Sequence, residues 1–91
     1  MKISGLGKID DFCKIHSQAK KPLFSWKKII EATSYKNIQE LKTSFNSVDY
    51  IGNDQHCFDI SGNKFRLIAI VVFIENKLII DQIMTHAEYD N

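Results

Sequence analysis

Eight consecutive apolar residues, Leu67-Ile68-Ala69-Ile70-Val71-Val72-Phe73-Ile74, constrain this chain more than any other feature. The run is bounded by Arg66 and Glu75 and is far too short to span a bilayer, so it is predicted to be a buried strand. Unbroken hydrophobicity calls for cover on both faces, which makes residues 64–74 a central strand. Its flanks keep a period of two. Residues 48–51 read as a short strand, Gly52-Asn53-Asp54 as a turn, and residues 55–60 as the next strand, closed by Ser61-Gly62-Asn63. A turn near Glu75-Asn76 leads into a last strand over residues 78–85, and Ile3 is expected to pair as an edge strand.

Upstream the period changes to between three and four. Leu6, Ile9, Phe12, Cys13 and His16 form one stripe, with Asp10 and Asp11 towards its start and Lys20 and Lys21 beyond its end, the order that suits a helix dipole. A second helix is predicted over residues 18–33 with Leu23, Trp26, Ile29, Ile30 and Thr33 facing inward. Pro22 fits only its first turn or a place before it, because an interior proline loses a hydrogen bond and clashes with the preceding turn. A third, short helix starts at Asn37, which caps it while Glu40 reaches back, and Ile38, Leu41 and Phe45 form its buried face. Residues 87–91 are expected to add one helical turn. Helices first and an antiparallel meander second define an α+β domain: a small antiparallel β-sheet with N-terminal helices packed on one face. At 91 residues the chain is expected to be one domain, 1–91.

The net charge of +1 hides an asymmetry. Residues 1–45 carry nine lysines against Asp10, Asp11, Glu31 and Glu40, a balance of +5. Residues 46–91 carry Lys64, Arg66 and Lys77 against seven acids, a balance of −4. No apolar stretch of signal-peptide length opens the chain, and Cys13 and Cys57 are too few for a disulfide framework, so a cytoplasmic protein with reduced thiols is expected. Cys13-Lys14-Ile15-His16 has the spacing of half a zinc site. Its complement would be His56-Cys57, strand neighbours that point to opposite faces, so no metal site is expected. Cys13 and Trp26 are read as core, His16 as partly exposed and His56 as a strand-surface residue.

The polar residues in the apolar second half are the informative ones. Arg66 interrupts the long strand, His86 ends the last one, and Tyr89 follows three residues later. With a three-residue loop at Glu75-Asn76-Lys77, Arg66 would lie opposite His86, Ile68 opposite Met84 and Ile70 opposite Gln82. A two-residue loop would put His86 on the other face. Arginine presents a planar donor fork to phosphate, histidine moves protons near neutrality, and a tyrosine orients phosphate, stacks on a base or assists proton transfer. RNA supplies its own nucleophile in the 2′-OH, so its cleavage without metal needs only proton removal, charge stabilisation and leaving-group protonation.

Two segments carry a family resemblance. Phe58-Asp59-Ile60-Ser61-Gly62-Asn63-Lys64-Phe65-Arg66-Leu67-Ile68-Ala69 resembles the Phe-Asn-Ile-Gly-Gly-Asn-(Lys/Glu)-(Tyr/Phe/Leu)-Arg-Leu-Ile-Ala segment of HigB-type toxins. Met84-Thr85-His86-Ala87-Glu88-Tyr89-Asp90 resembles their C-terminal Thr-His-x-Glu-Tyr-Asp signature. Trp26, residues 37–45 and Asp49-Tyr50-Ile51-Gly52 match as well, so the likeness runs over nearly the whole chain. It implies the toxin of a type II toxin–antitoxin system in the RelE-like superfamily: an mRNA interferase with no cofactor or metal, often acting on ribosome-engaged messages. The implied partner is a helix-turn-helix antitoxin. Position by position it implies Arg66, His86 and Tyr89 as catalytic residues and Asn63 and Lys64 as RNA-binding ones. Two acids depart from the pattern, Asp81 where relatives often carry a basic residue and Asp59 where an asparagine is usual. They leave open a weak toxin that mainly binds its antitoxin and tunes operon repression. A gyrase-poisoning branch shares the fold, but the His86 and Tyr89 ending favours ribonuclease.

Overall fold

A computed structural model describes residues 1–90. In chain order the elements are β1 (Lys2–Ser4), α1 (Gly7–Ile15), α2 (Lys20–Ala32), α3 (Ile38–Ser44), β2 (Asp49–Gly52), β3 (Gln55–Ile60), β4 (Phe65–Val72), β5 (Lys77–Thr85) and α4 (His86–Asp90). The strands form one sheet in the order β1-β5-β4-β3-β2, with β4, the apolar run, at its centre. Strands β2 to β5 form the antiparallel meander, and β1 joins the far edge parallel to β5. The fold is thus α+β with a mostly antiparallel sheet, as the change of period predicts.

Alternation along the strands sorts side chains onto two faces. One face carries Phe58, Ile60, Phe65, Leu67, Ala69, Val71, Leu78 and Ile80, and it forms the main core with Leu23, Trp26 and Ile30 of α2 and Leu41 of α3. Phe58 is gripped edge-on by Trp26 at 5.4 Å and Phe45 at 5.2 Å. Burying each Leu, Ile or Phe of this set contributes about 1.5–3 kcal/mol. Pro22 is the third residue of α2, where its missing N–H costs nothing. Asn37 accepts from the Glu40 amide at 2.9 Å, while the Glu40 carboxylate reaches one residue further back than expected, to the Lys36 amide.

Several expectations need correcting. A 3-10 turn at Ser17–Ala19 precedes α2, which begins at Lys20. Ile29 is 41% exposed, because it lies at the margin of the arc centred on Leu23 and Ile30. Cys13 is half-buried rather than core, and both thiols are free. His56 is buried, packed against Phe73 and Tyr50, with its Nδ1 at 3.0 Å from the Asp54 carbonyl. The long strand stops at Val72: Phe73–Glu75 turns as a 3-10 helix that leaves Ile74 95% exposed, and Asn76 takes φ 54° to close the link.

That link sets a different register from the one a three-residue loop would give. Val72 pairs with Lys77 and Ile70 with Ile79, and a bulge between Ile68 and Ala69 then admits Asp81 as an extra residue. Arg66 consequently pairs with Met84, and Ile68 with Gln82. His86 is not on the strand but begins α4. At the other end of the sheet, Asn53 and Asp54 both take positive φ, as the two-residue β2–β3 hairpin requires. Gly5 is needed for a second reason: at φ +88°, a Cβ there would lie 3.0 Å from the Ile80 carbonyl oxygen.

Candidate active site

The face of the sheet away from α1 and α2 carries Cys57, Asp59, Arg66, Ile68 and Met84 at its lower end, where β4 begins and β5 finishes. Arg66 is only 7% exposed, unusual for a guanidinium, and its surroundings explain why it is tolerated. Its Nε meets Asp59 Oδ1 at 3.1 Å, on the residue directly opposite in β3. Nη1 donates to the Phe65 carbonyl at 3.1 Å. Nη2 donates to Asn63 Oδ1 and to His86 Nδ1, both at 2.8 Å. Four of the five guanidinium N–H groups are therefore engaged by residues from β3, the β3–β4 turn, β4 and α4.

The chain delivers His86 to this point by a local device. Thr85 and Glu88 form a reciprocal cap: the Glu88 amide donates to Thr85 Oγ1 at 3.2 Å, and the Thr85 amide donates to Glu88 Oε1 at 2.9 Å. Hydrogen bonding from Thr85 holds the Glu88 carboxyl below its ordinary range. The cap starts α4 at His86, whose own amide donates to the Lys64 carbonyl at 2.9 Å and ties the helix to the β3–β4 turn. Tyr89 and Asp90 then follow three and four residues on, one helical turn from His86.

An arginine cannot accept, so His86 Nδ1 must present its lone pair to Arg66 and the ring proton must sit on Nε2. Nε2 in turn donates to Asp90 Oδ2 at 2.8 Å. The two hydrogen bonds fix the tautomer and orientation of the imidazole from both sides. Tyr89 leans over the same cluster, its ring centroid 5.8 Å from the Arg66 guanidinium carbon. The neighbouring Cys57 thiol raises the phenol above its ordinary value, and burial raises the thiol, so both stay protonated at neutral pH.

Of the residues singled out in the sequence, Asn63, Arg66, His86 and Tyr89 come together, whereas Lys64 contributes its carbonyl and leaves its side chain exposed. Asp81 lies elsewhere: it accepts from Gln55 at 3.3 Å across the sheet at the level of the bulge. Sequence reasoning missed Asp59 and Asp90 as partners of Arg66 and His86. Both were findable, Asp59 from the pairing that a four-residue Ser61 to Lys64 hairpin imposes, and Asp90 from the Thr-x-x-Glu capping spacing, which puts it four residues after His86. A larger cleft of about 780 Å³ opens between α1 and α2, lined by Leu6, Cys13, Leu23, Phe24 and lysines, but none of these clustered residues borders it. Among the described residues no three His, Cys, Asp or Glu side chains gather as metal ligands, and no helix is long and apolar enough to cross a membrane.

Residues 19–91 match the model of the HigB_toxin family, described as a RelE-like toxic component of a toxin-antitoxin system. The mRNA interferase toxin HigB of Escherichia coli strain K12 is 34% identical over 86 residues, covering 90% of this chain and 81% of that protein. The mRNA interferase HigB of E. coli O6:H1 strain CFT073 is 31% identical over 70 residues, covering 75% of this chain and 68% of its own length. The Shigella flexneri mRNA interferase HigB stands at 34% over 86 residues.

Proposed function

The chain belongs to the HigB toxin family of RelE-like toxic components of toxin–antitoxin systems, and from that premise we propose that it is a cytoplasmic mRNA interferase. In this reading it cuts message without metal, acts on RNA engaged by the ribosome, and is neutralised by a helix-turn-helix antitoxin. The observation that supports the reading is His86 Nδ1 held at 2.8 Å from the Arg66 guanidinium.

The chemistry follows from that contact. A scissile phosphate drawn to Arg66 competes for the Nη2 donors, and releasing one frees His86 Nδ1 as a base. His86 takes the 2′-OH proton, the 2′ oxygen forms its bond to phosphorus, and Arg66 neutralises the equatorial charge that develops. Asp90 at Nε2 orients the ring and stabilises the imidazolium that results, with its carboxylate still exposed to water. The bond to the 5′ oxygen breaks as the His86 imidazolium returns its proton to that oxygen, leaving a 2′,3′-cyclic phosphate and a 5′-hydroxyl. Tyr89, protonated at neutral pH, donates to the phosphate or stacks on a base, and the Asn63 amide NH₂ donates to the backbone beside it. Lys64 contributes a screened, sequence-independent phosphate contact.

The test is growth and message integrity on induction without antitoxin. The wild type should arrest growth and leave cut messages, and His86→Ala, shown folded by its melting curve, should do neither. A fully toxic His86→Ala would overturn the assignment. A wild type that is harmless and leaves RNA intact would favour the antitoxin-binding, repression-tuning reading that Asp59 and Asp81 keep open.

A further inference from the structure

We infer that Asp59 is a resident counter-anion on Arg66 which an incoming RNA phosphate must displace, so that this one carboxylate sets the affinity of the site. The inference rests on the reading of Arg66 as the phosphate-binding group. Among the described residues that contact the guanidinium, Asp59 is the only acid, the others being the Asn63 amide, the His86 ring and the Phe65 carbonyl. It also sits where an anion from solvent would arrive. Its side chain is 31% exposed against 8% for that of Arg66, so Asp59 stands at the mouth of the cluster with the guanidinium behind it. The register fixes it there, because Asp59 and Arg66 are direct cross-strand partners and alternation keeps both on the open face.

The consequence is a site that presents almost no free positive charge to an isolated phosphate. RNA must bring enough contacts elsewhere to move the carboxylate, which rotates into water at little cost because it is already partly hydrated. Asp59 thus discriminates against short or loosely held RNA without touching the bond that breaks, and acts as a specificity-determining residue rather than a catalytic one.

The test measures binding of a 2′-deoxy-substituted, uncleavable oligonucleotide to the purified protein across a salt series, beside cleavage of the all-ribose oligonucleotide. Asp59→Asn keeps an acceptor for the Arg66 Nε–H while removing the charge. It should bind roughly tenfold tighter, an electrostatic effect of the size found for close charge pairs. The logarithmic salt slope should steepen by about 0.7, as expected for one more cation available to a single strand. Asp81→Asn removes the same charge outside the cluster and should change affinity by less than about twofold, because Asp81 bonds to Gln55 and does not contact Arg66. Asp59→Ala should also bind tighter than wild type, so the inference survives a poorly folding Asp59→Asn.

Unchanged or weaker binding by folded Asp59 variants overturns the inference, and so does an Asp81→Asn effect equal to that of Asp59→Asn. Tighter binding by Asp59→Asn with no cleavage by any variant would refute the ribonuclease reading and leave the inference standing. Cleavage by the wild type with no gain in binding would do the reverse.

Discussion

Arg66→Ala is predicted to unfold this protein as much as to disable it. The guanidinium is nearly buried and serves Asp59, Asn63, His86 and the Phe65 carbonyl at once. Removing it strands a carboxylate, a ring nitrogen and an amide oxygen that were satisfied. Breaking a buried ion pair costs about 3–5 kcal/mol when one partner goes. Asp59 is partly hydrated and Asn63 is exposed, so part of that loss is recovered and about 2–3 kcal/mol remains. For a chain of this size each kcal/mol moves the melting temperature by about 4–8 °C, which predicts a fall of roughly 10–20 °C. Arg66→Lys keeps a charge able to reach Asp59 but loses the fork, so it should fall between the two in stability while cleavage still drops about 100-fold or more. Thermal melts with urea titration at constant pH decide the matter. An Arg66→Ala protein melting within about 3 °C of wild type would refute the claim that this network is buried and mutually satisfied.

Two further predictions concern parts of the chain that support the site. Thr85→Ala removes a cap worth about 1 kcal/mol from a helix too short to persist without it. It should speed amide exchange at His86 and Glu88 and lower cleavage about fivefold while the sheet melts nearly unchanged, and equal protection of α4 in both proteins would count against the capping account. His56 is held by burial below its ordinary value of 6.5, so the unfolded chain takes up a proton that the folded one refuses. Stability should be full above pH 6.5 and decline as the pH falls below it, and His56→Asn should flatten that slope. An unchanged slope in His56→Asn would assign the acid sensitivity to other groups.

The architecture was legible because period and apolar content are local. The unbroken run at Leu67 to Val72 could only be a central strand, and Asn37 announced its helix. The register was not legible, because it depends on how Phe73 to Asn76 turn and on a bulge beside Asp81, a residue whose side chain tolerates either face near a sheet margin. The clustering of Arg66 with His86 was nevertheless foreseeable in outcome, though the expected cross-strand pairing is not how it arises. His86 leaves the strand, and a Thr85 to Glu88 cap brings it back over Arg66. His56 was misjudged because its burial comes from Phe73 and Tyr50, residues distant in sequence or on another strand. Asp59, visible as a departure from the family pattern, acquires physical meaning only once it is found paired with Arg66.

The most direct test of the central claim is the chemistry of the cut ends. Purified wild-type protein, incubated with message and ribosomes in excess EDTA-chelated buffer restored only with the magnesium the ribosome needs, should leave 2′,3′-cyclic phosphate and 5′-hydroxyl termini. A single 2′-deoxy substitution at the cut site should abolish that cut. Ends bearing a 3′-hydroxyl and a 5′-phosphate, or cleavage that persists through the 2′-deoxy position, would contradict the account.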